Sequence, residues 1–353
     1  MLDLGKIASL YLFKKFFVVL STNLTPEQWF SSHFLGNLCH KSVCFSLPNE
    51  YSMELQESYD GNKTADLVIF AESLNLEKIH QVQIQLSAEI GIHCYKPGLE
   101  MSSGFAIDAL VTVLNDDNLQ QKLEQIAVEC QVELSLLNHR PTIAEPGILL
   151  MDMDSTVIDA ECIDEIAKLA GVGDKVSAVT ELAMQGKLDF AESLHSRVAC
   201  LAGTPVSVLQ QVRDRLPVNP GINHLLHELK EANWKLAIAS GGFTFFADYL
   251  CQRLGLDFAI SNQLEIVDDK LTGKVLGEVI GAQAKADTLN NLALQYGIPK
   301  SQTIALGDGA NDLVMMEQAG LGVAYHAKPV VRQQADAAIR FGAADGLLAY
   351  LRR

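Results

Sequence analysis

Gly147-Ile148-Leu149-Leu150-Met151-Asp152-Met153-Asp154-Ser155-Thr156 is an apolar run that stops abruptly at two aspartates with one residue between them. If the run is a buried strand, both carboxylates emerge at its C-terminal edge, where open α/β sheets gather their ligands. One carboxylate can then act as a nucleophile while the other exchanges a proton, and together they can hold a hard divalent cation. Taken alone, Asp-x-Asp reads more readily as a strand followed by an Asp-rich turn. Three motifs further along the chain reverse that reading.

The first is Lys235-Leu236-Ala237-Ile238-Ala239-Ser240-Gly241-Gly242-Phe243, a strand that ends in a hydroxyl and two glycines before a helix start. The Ser240 hydroxyl and the first free amides can grip a phosphate jointly, with no side chain on Gly241 to block its approach. Lys285, in Ala282-Gln283-Ala284-Lys285-Ala286-Asp287, follows at the start of a helix. Its ammonium can neutralise phosphoryl oxygens and a nucleophilic carboxylate together. Last comes Gly307-Asp308-Gly309-Ala310-Asn311-Asp312, again after a strand-like run. Asp308 and Asp312 are four apart, which a helical turn places on one side. Carboxylates with carbonyls and waters make the octahedral oxygen site that Mg²⁺ prefers. Singly, each motif has an ordinary explanation: an N-cap, a solvated lysine, a loop. Four of them, each at a strand end or a helix start, are not ordinary.

Around these motifs the pattern alternates strand and helix, which predicts a parallel, doubly wound sheet over 147–353. Its strands include Gly147 to Met151, Trp234 to Ala239 and Thr303 to Leu306. Between Asp159 and Leu216 the signals are helical only, a cap insertion placed directly after the aspartate pair (about 159–216). Asn262 to Val279 reads as a small hairpin. Ala319 to Ala324 reads as a turn, followed by a further strand and a C-terminal helix. Residues 139–146, with Pro141 and Pro146, form the linker. Before it, 65–138 follows a β-α-β-β-α-β order: strand Asp66 to Ala71, helix Leu76 to Glu89, strands Ile92 to Tyr95 and Phe105 to Leu114, helix Asn118 to Gln131, strand Val132 to Leu137. That order suits an α+β ferredoxin-like sandwich. It carries no titratable cluster and is assigned regulation, dimerisation or scaffolding. Residues 1–64 are an extension whose periodicity identifies no fold.

The chain has 353 residues, room for two domains with cores of their own, and a formal charge of −16 from 27 basic and 43 acidic side chains. No basic stripe is present, so nucleic acid is not an expected partner. An anionic substrate then needs a local cation. Seven cysteines are dispersed with no Cys-x-x-Cys pair, which fits reduced thiols and a cytoplasmic location. The apolar run Phe16 to Leu20 is too short for a membrane span or a signal sequence.

Asp-x-Asp-x-Thr, then Ser-Gly, then Lys, then Gly-Asp-x-x-Asn-Asp, in that order, resembles the haloacid dehalogenase superfamily, from Gly147 to about Leu348. The segment Ala183 to Val198 resembles the cap signature AMxGxxxFxxSLxxRV of its phosphoserine phosphatase branch, and Asp152 to Glu161 resembles that branch's DMDSTxIxxE. Leu271-Thr272-Gly273 resembles its flap hairpin, and 65–138 resembles the ACT-like domain that accompanies some of its members. The resemblance implies a phosphatase of L-phosphoserine that depends on Mg²⁺. Asp152 would be the nucleophile and Asp154 the general acid and then base. Asp152, the backbone carbonyl of Asp154 and Asp308 would hold the metal, with Asp312 supporting them. Ser240, Gly241, Lys285 and Asn311 would bind the phosphoryl group. Glu161 would take the substrate ammonium and Arg197 its carboxylate, while Met184 and Phe190 would line the closed pocket. His195 has no role. The expected partner is this small molecule, without nucleic acid or membrane, and a homodimer is compatible.

Rival readings differ in class. Another small phosphate ester would call for a different cap than one carrying Glu161 and Arg197. A phosphotransferase would use the same intermediate, and a transport ATPase would need membrane spans. An amino-acid-sensing module with a degenerate phosphatase domain would lack catalytic residues that are all present here.

Overall fold

A computed structural model describes residues 17–19, 44–49, 52–56 and 65–353 apart from 100 and 103. The chain forms two compact units, Met1–His139 with Gly346–Arg352, and Arg140–Asp345 with Arg353.

The first unit holds strands β1 (Phe17–Val19), β2 (Cys44–Asn49), β3 (Ser52–Gln56), β4 (Ala65–Ala71), β5 (Ile90–Pro97), β6 (Phe105–Val113) and β7 (Glu133–Leu137), with helices α1 (Leu76–Gln85) and α2 (Leu119–Cys130). All pairings are antiparallel, in the order β1-β3-β2-β5-β6-β4-β7. The β5-β6-β4-β7 portion, with its two helices, is a ferredoxin-like arrangement. Alternate residues explain why it packs: Leu67, Ile69, Ile107, Ala109, Val111 and Leu134 share one buried face with Ile79, Val82, Leu123 and Ile126 of the helices. Three strands from the first 64 residues, which periodicity alone did not identify, lengthen the sheet, with Phe45 paired to Tyr95. Helix α1 ends at Gln85, short of the expected Glu89, because the chain turns there to bring buried Ile90 into β5. Strand β5 outruns the expected Ile92 to Tyr95 because β6 pairs with it from Ile90↔Val113 to Pro97↔Ile107.

The second unit is the doubly wound sheet, ordered β11-β10-β9-β8-β12-β13-β14. Its strands are β8 (Ile148–Met151), β9 (Lys235–Phe243), β10 (Phe258–Val267), β11 (Lys270–Leu276), β12 (Thr303–Gly307), β13 (Leu321–Tyr325) and β14 (Ala337–Ile339). All neighbours are parallel except β10 and β11. All four residues of β8 are fully buried, as a central strand covered on both faces requires. Ile148 and Leu150 pack with Ala237, Ala239 and Ala305, whose small side chains admit a close layer of Ala286, Leu289 and Met315. From β8 the chain proceeds outward to β9 on one side and later to β12 on the other. That reversal opens a crevice beyond the C-terminal ends of these strands.

Helices α3 (Cys162–Leu169), α4 (Gly173–Met184), α5 (Phe190–Ala199) and α6 (Val206–Arg213) make up the cap. Its neck is tied where Asp159 N–H donates to Pro217 O (3.0 Å) and Asn219 N–H to Val157 O (3.0 Å). Helices α7 (Ile222–Glu231), α8 (Thr244–Leu254), α9 (Ala282–Tyr296), α10 (Leu313–Gln318) and α11 (Pro329–Arg332) follow. The β10–β11 hairpin turns through Asp268 and Asp269, both at positive φ (48° and 55°), the geometry of a type I′ turn.

Two expectations are corrected. The stretch expected as a turn at Ala319 to Ala324 contains a buried strand, Leu321–Tyr325. Gly322 suggested a turn, but its missing side chain serves packing: a Cβ there would lie 2.6 Å from Met316 Cβ on α10. The C-terminal helix is a 3₁₀ segment, Ala344–Tyr350. Among the described residues no helix is long and apolar enough to cross a membrane.

Truncating the central strand tests this core. Leu150→Ala removes a fully buried side chain and should destabilise the protein by about 2–5 kcal/mol, read as a lower urea midpoint.

Candidate active site

Strand β8 continues for one residue past Met151, where Asp152 N–H donates to Leu306 O (2.9 Å). The chain then folds sharply, with the amides of Thr156, Val157 and Ile158 converging on the Met153 carbonyl and Ser155 in the left-handed region (φ 56°). Met153 is buried beneath this turn, while Asp152 and Asp154 face the cleft. Asp154 Oδ1 accepts from Cys162 N–H (3.3 Å) at the start of α3. Burial, then the nearby charges of Glu161 and Asp152, push the Asp154 carboxyl up to about 8 against the help of that amide. These surroundings favour the protonated form of Asp154.

Beneath the cleft lies a buried ion cluster. Lys285, in the first turn of α9, has no exposed surface, and its Nζ donates to Asp152 Oδ1 (2.7 Å) and Asp312 Oδ1 (2.7 Å). Burial works against its charge, but the two carboxylates outweigh burial and raise its pKa. Asp312 Oδ2 accepts from Gly309 N–H (3.0 Å), so both of its oxygens are occupied. This follows from a 3₁₀ turn at Ala310–Asp312, tighter than the expected helical turn, which folds Asp312 back on Gly309. Asp308 Oδ1 accepts from the Thr156 hydroxyl (3.3 Å). Burial, Asp152 and Asp312 push Asp308 up to about 7.

One ammonium thus faces three aspartates whose oxygens lie within 4.8 Å of one another. The negative charge is uncompensated, and the donors are hard oxygens. A divalent cation fits this set. Asp312 accepts on both oxygens, whereas Asp152 and Asp308 each accept a side-chain hydrogen bond on one, which leaves them the more open to it.

On β9 the sequence pattern suggested a strand ending before Ser240, but the strand runs on to Phe243 because Phe243 pairs with Asn262 of β10. Ser240 Oγ accepts from Gly242 N–H (2.9 Å). That amide is therefore not available to a ligand, contrary to the expectation of several free amides here. Ser240 instead keeps its own O–H proton to donate. Both glycines are needed for close approach. A Cβ on Gly241 would lie 2.7 Å from Phe190 Cζ, and one on Gly242 2.6 Å from Met153 Cε and 2.8 Å from Asp154 Oδ2.

The resulting cleft has a volume of about 210 Å³ and is lined by Asp152, Asp154, Glu161, Phe190, Arg197, Ser240, Gly241, Asp308 and Asn311. Lys285 and Asp312 lie directly below. The Met184 side chain lies outside the described residues, and His195 is exposed. Glu161 is exposed overall, yet its carboxylate turns into the cleft and accepts from the Ser155 hydroxyl (2.7 Å). Loss of water there raises its pKa, and Arg197 opposes the rise. Arg197 has a buried Nε with no partner among the described residues. Gly242, Ile163, Leu194 and Phe243 also line the cleft and were not foreseen. Ile163 and Leu194 read as ordinary core at helical spacing; Gly242 was detectable only as the second half of a glycine pair. A larger groove of about 550 Å³ beside α9 is mostly apolar and has Lys300 as its one charged residue, so it offers no chemistry.

The haloacid dehalogenase-like hydrolase family matches residues 147–320. The phosphoserine phosphatase of Vibrio cholerae is 53% identical over 238 residues, 67% of this chain and 73% of that protein. The chain belongs to the phosphoserine phosphatase family.

A crystal structure of a probable phosphoserine phosphatase from Vibrio cholerae, in unliganded form, is 46% identical, with a TM-score of 0.69 over 81% of this chain and 86% of that one. A phospho-aspartyl intermediate analogue of phosphoserine phosphatase is 39% identical, with a TM-score of 0.56 over 59% of this chain and all of that one (100%). Family membership names no residue, and each residue's role follows from this geometry.

Gly242→Ala tests the close approach. The added methyl must displace Asp154, and a shift of this size is expected to lower kcat on phosphate esters about 100-fold. Circular dichroism and melting temperature should stay near wild type, because Gly242 is not at positive φ.

Proposed function

We propose that the chain hydrolyses O-phospho-L-serine to L-serine and phosphate through a phosphoryl group carried on Asp152, a reaction that ends serine biosynthesis. The observation that carries the substrate is the cap side of the cleft. Arg197 has a buried, unpartnered Nε, and Glu161 stands nearby with its carboxylate turned inward. A free amino acid presents the complementary pair, a carboxylate for Arg197 and an ammonium for Glu161.

Asp152 attacks phosphorus. The Lys285 ammonium donates to its Oδ1 at 2.7 Å and shares the phosphoryl charge. Ser240, through its free O–H, with Gly241 and Asn311, holds the phosphoryl oxygens. Asp154 begins protonated and donates its proton to the departing serine oxygen. The resulting carboxylate then takes a proton from the water that attacks the aspartyl-phosphate, which restores the starting state. Phe190, packed on Gly241, closes the pocket from the cap.

The uncompensated charge around Asp152 and Asp308 suits Mg²⁺, held by these two carboxylates and the Asp154 backbone carbonyl, with Asp312 steadying the set through Lys285 and Gly309. When bound, it supplies positive charge against the phosphoryl oxygens.

Arg197→Ala separates substrate recognition from chemistry. Leaving a carboxylate desolvated without its partner costs about 2–5 kcal/mol, so kcat/KM on L-phosphoserine should fall at least about 30-fold. The slow hydrolysis of p-nitrophenyl phosphate, which lacks that carboxylate, should change little. Equal losses on both substrates would refute the assignment.

Metal removal tests the acidic cluster. Chelation should abolish turnover and Mg²⁺ should restore it. Ca²⁺ should fail to do so, since it favours longer bonds and more ligands than this compact oxygen set offers. Full activity in excess chelator would contradict the metal reading.

A further inference from the structure

Asn262 lies at the bulge in β10 where the sheet ends and the hairpin begins, and it is 1% exposed. None of the four motifs contains it. Its side-chain amide is saturated in an unusual direction: Nδ2 donates to Gly241 O (2.8 Å), and Oδ1 accepts from Ile280 N–H (2.8 Å). These partners belong to two different parts of the phosphoryl-binding machinery.

The Gly241–Gly242 peptide is planar, so fixing its carbonyl fixes its N–H. Asn262 holds the carbonyl, and the N–H points to Ser240 Oγ at 2.9 Å. With an acceptor position of that oxygen taken, the Ser240 proton is left to donate into the cleft. At the other end, Ile280 immediately precedes Gly281, the N-cap of α9, whose carbonyl accepts from Lys285 N–H (3.1 Å). The start of the helix that delivers Lys285 to Asp152 is thereby tied to the same amide. The Phe190 ring rests against both tied segments, since a Cβ on Gly241 or Gly281 would lie 2.7 Å or 3.6 Å from it.

We propose that Asn262 is a positioning residue that sets the spacing between the Ser240 hydroxyl and the Lys285 ammonium, so that both meet one phosphoryl group. It acts on the phosphate end of the substrate and not on the amino-acid end. The proposal rests on the phosphatase reading above and deepens it.

Asn262→Asp and Asn262→Ala in the full chain test it. Asn262→Asp is isosteric and still accepts from Ile280 N–H, but a carboxylate cannot donate to the Gly241 carbonyl and repels it. Kinetics on L-phosphoserine and p-nitrophenyl phosphate, inhibition by inorganic phosphate, and circular dichroism are measured together. Both variants should lose kcat by a common factor of at least about tenfold on the two esters, the scale on which a misplaced group acts. Inhibition by inorganic phosphate should weaken in parallel, while inhibition by L-serine holds and Asn262→Asp keeps the wild-type circular dichroism spectrum. Loss confined to L-phosphoserine, unchanged phosphate inhibition, or Asn262→Asp within threefold of wild type would each overturn it. Should Asn262→Ala fail to fold, Asn262→Asp alone decides. A wild-type enzyme active on p-nitrophenyl phosphate but not on L-phosphoserine would refute the substrate assignment and leave this test intact.

Discussion

The site depends on a buried ammonium. Lys285 sits without solvent between Asp152 and Asp312, 2.7 Å from each. Such a cluster is costly to desolvate, and removing one member of a buried pair generally costs about 3–5 kcal/mol because the survivor is left uncompensated. Once assembled, however, it holds Asp152 through a 2.7 Å charge-assisted hydrogen bond at the floor of the cleft. Asp312 is held on both of its oxygens, by Lys285 and Gly309.

Around that cluster, two chemically identical side chains meet opposite surroundings. Asp152 faces Lys285, whereas Asp154, two residues on, faces Glu161 with only the Cys162 amide to assist it. The two carboxylates of the pair are therefore set in unlike electrostatic surroundings. Placing them so close requires bare backbone alongside, which is why Gly242 lies against Asp154 and Gly241 against Phe190.

The cap and the hairpin are held to each other by main-chain bonds. Gly203 N–H donates to Leu271 O (2.7 Å), Leu271 N–H to Thr204 O (2.9 Å) and Val206 N–H to Asp269 O (2.9 Å). Gly273, at φ 85°, lets the hairpin approach Ala199 and Ala202. Arg197 and Phe190 on α5 are thus carried by a cap braced from the side of β11, and their reach into the cleft is a property of both insertions together.

Sequence alone marked the candidate residues and the strand ends and helix starts near which they lie. A carboxylate pair after an apolar run, a hydroxyl with glycines, a lysine at a helix start and an Asp-rich turn are local patterns, and strand and helix periodicity reports them directly. What only the tertiary structure decided is what lies opposite each group. Lys285 and Asp312 meet Asp152 because β8 lies between β9 and β12, an order that no local pattern contains. Gly322 belongs to a strand because Met316 packs on it, and Ser240 is a donor because Gly242 occupies its oxygen. Asn262 was invisible for the same reason: an asparagine in a strand has no distinguishing neighbours in sequence, and its two partners are 21 and 18 residues away. Protonation states belong here as well, because they follow from burial and from charges brought together across the sheet.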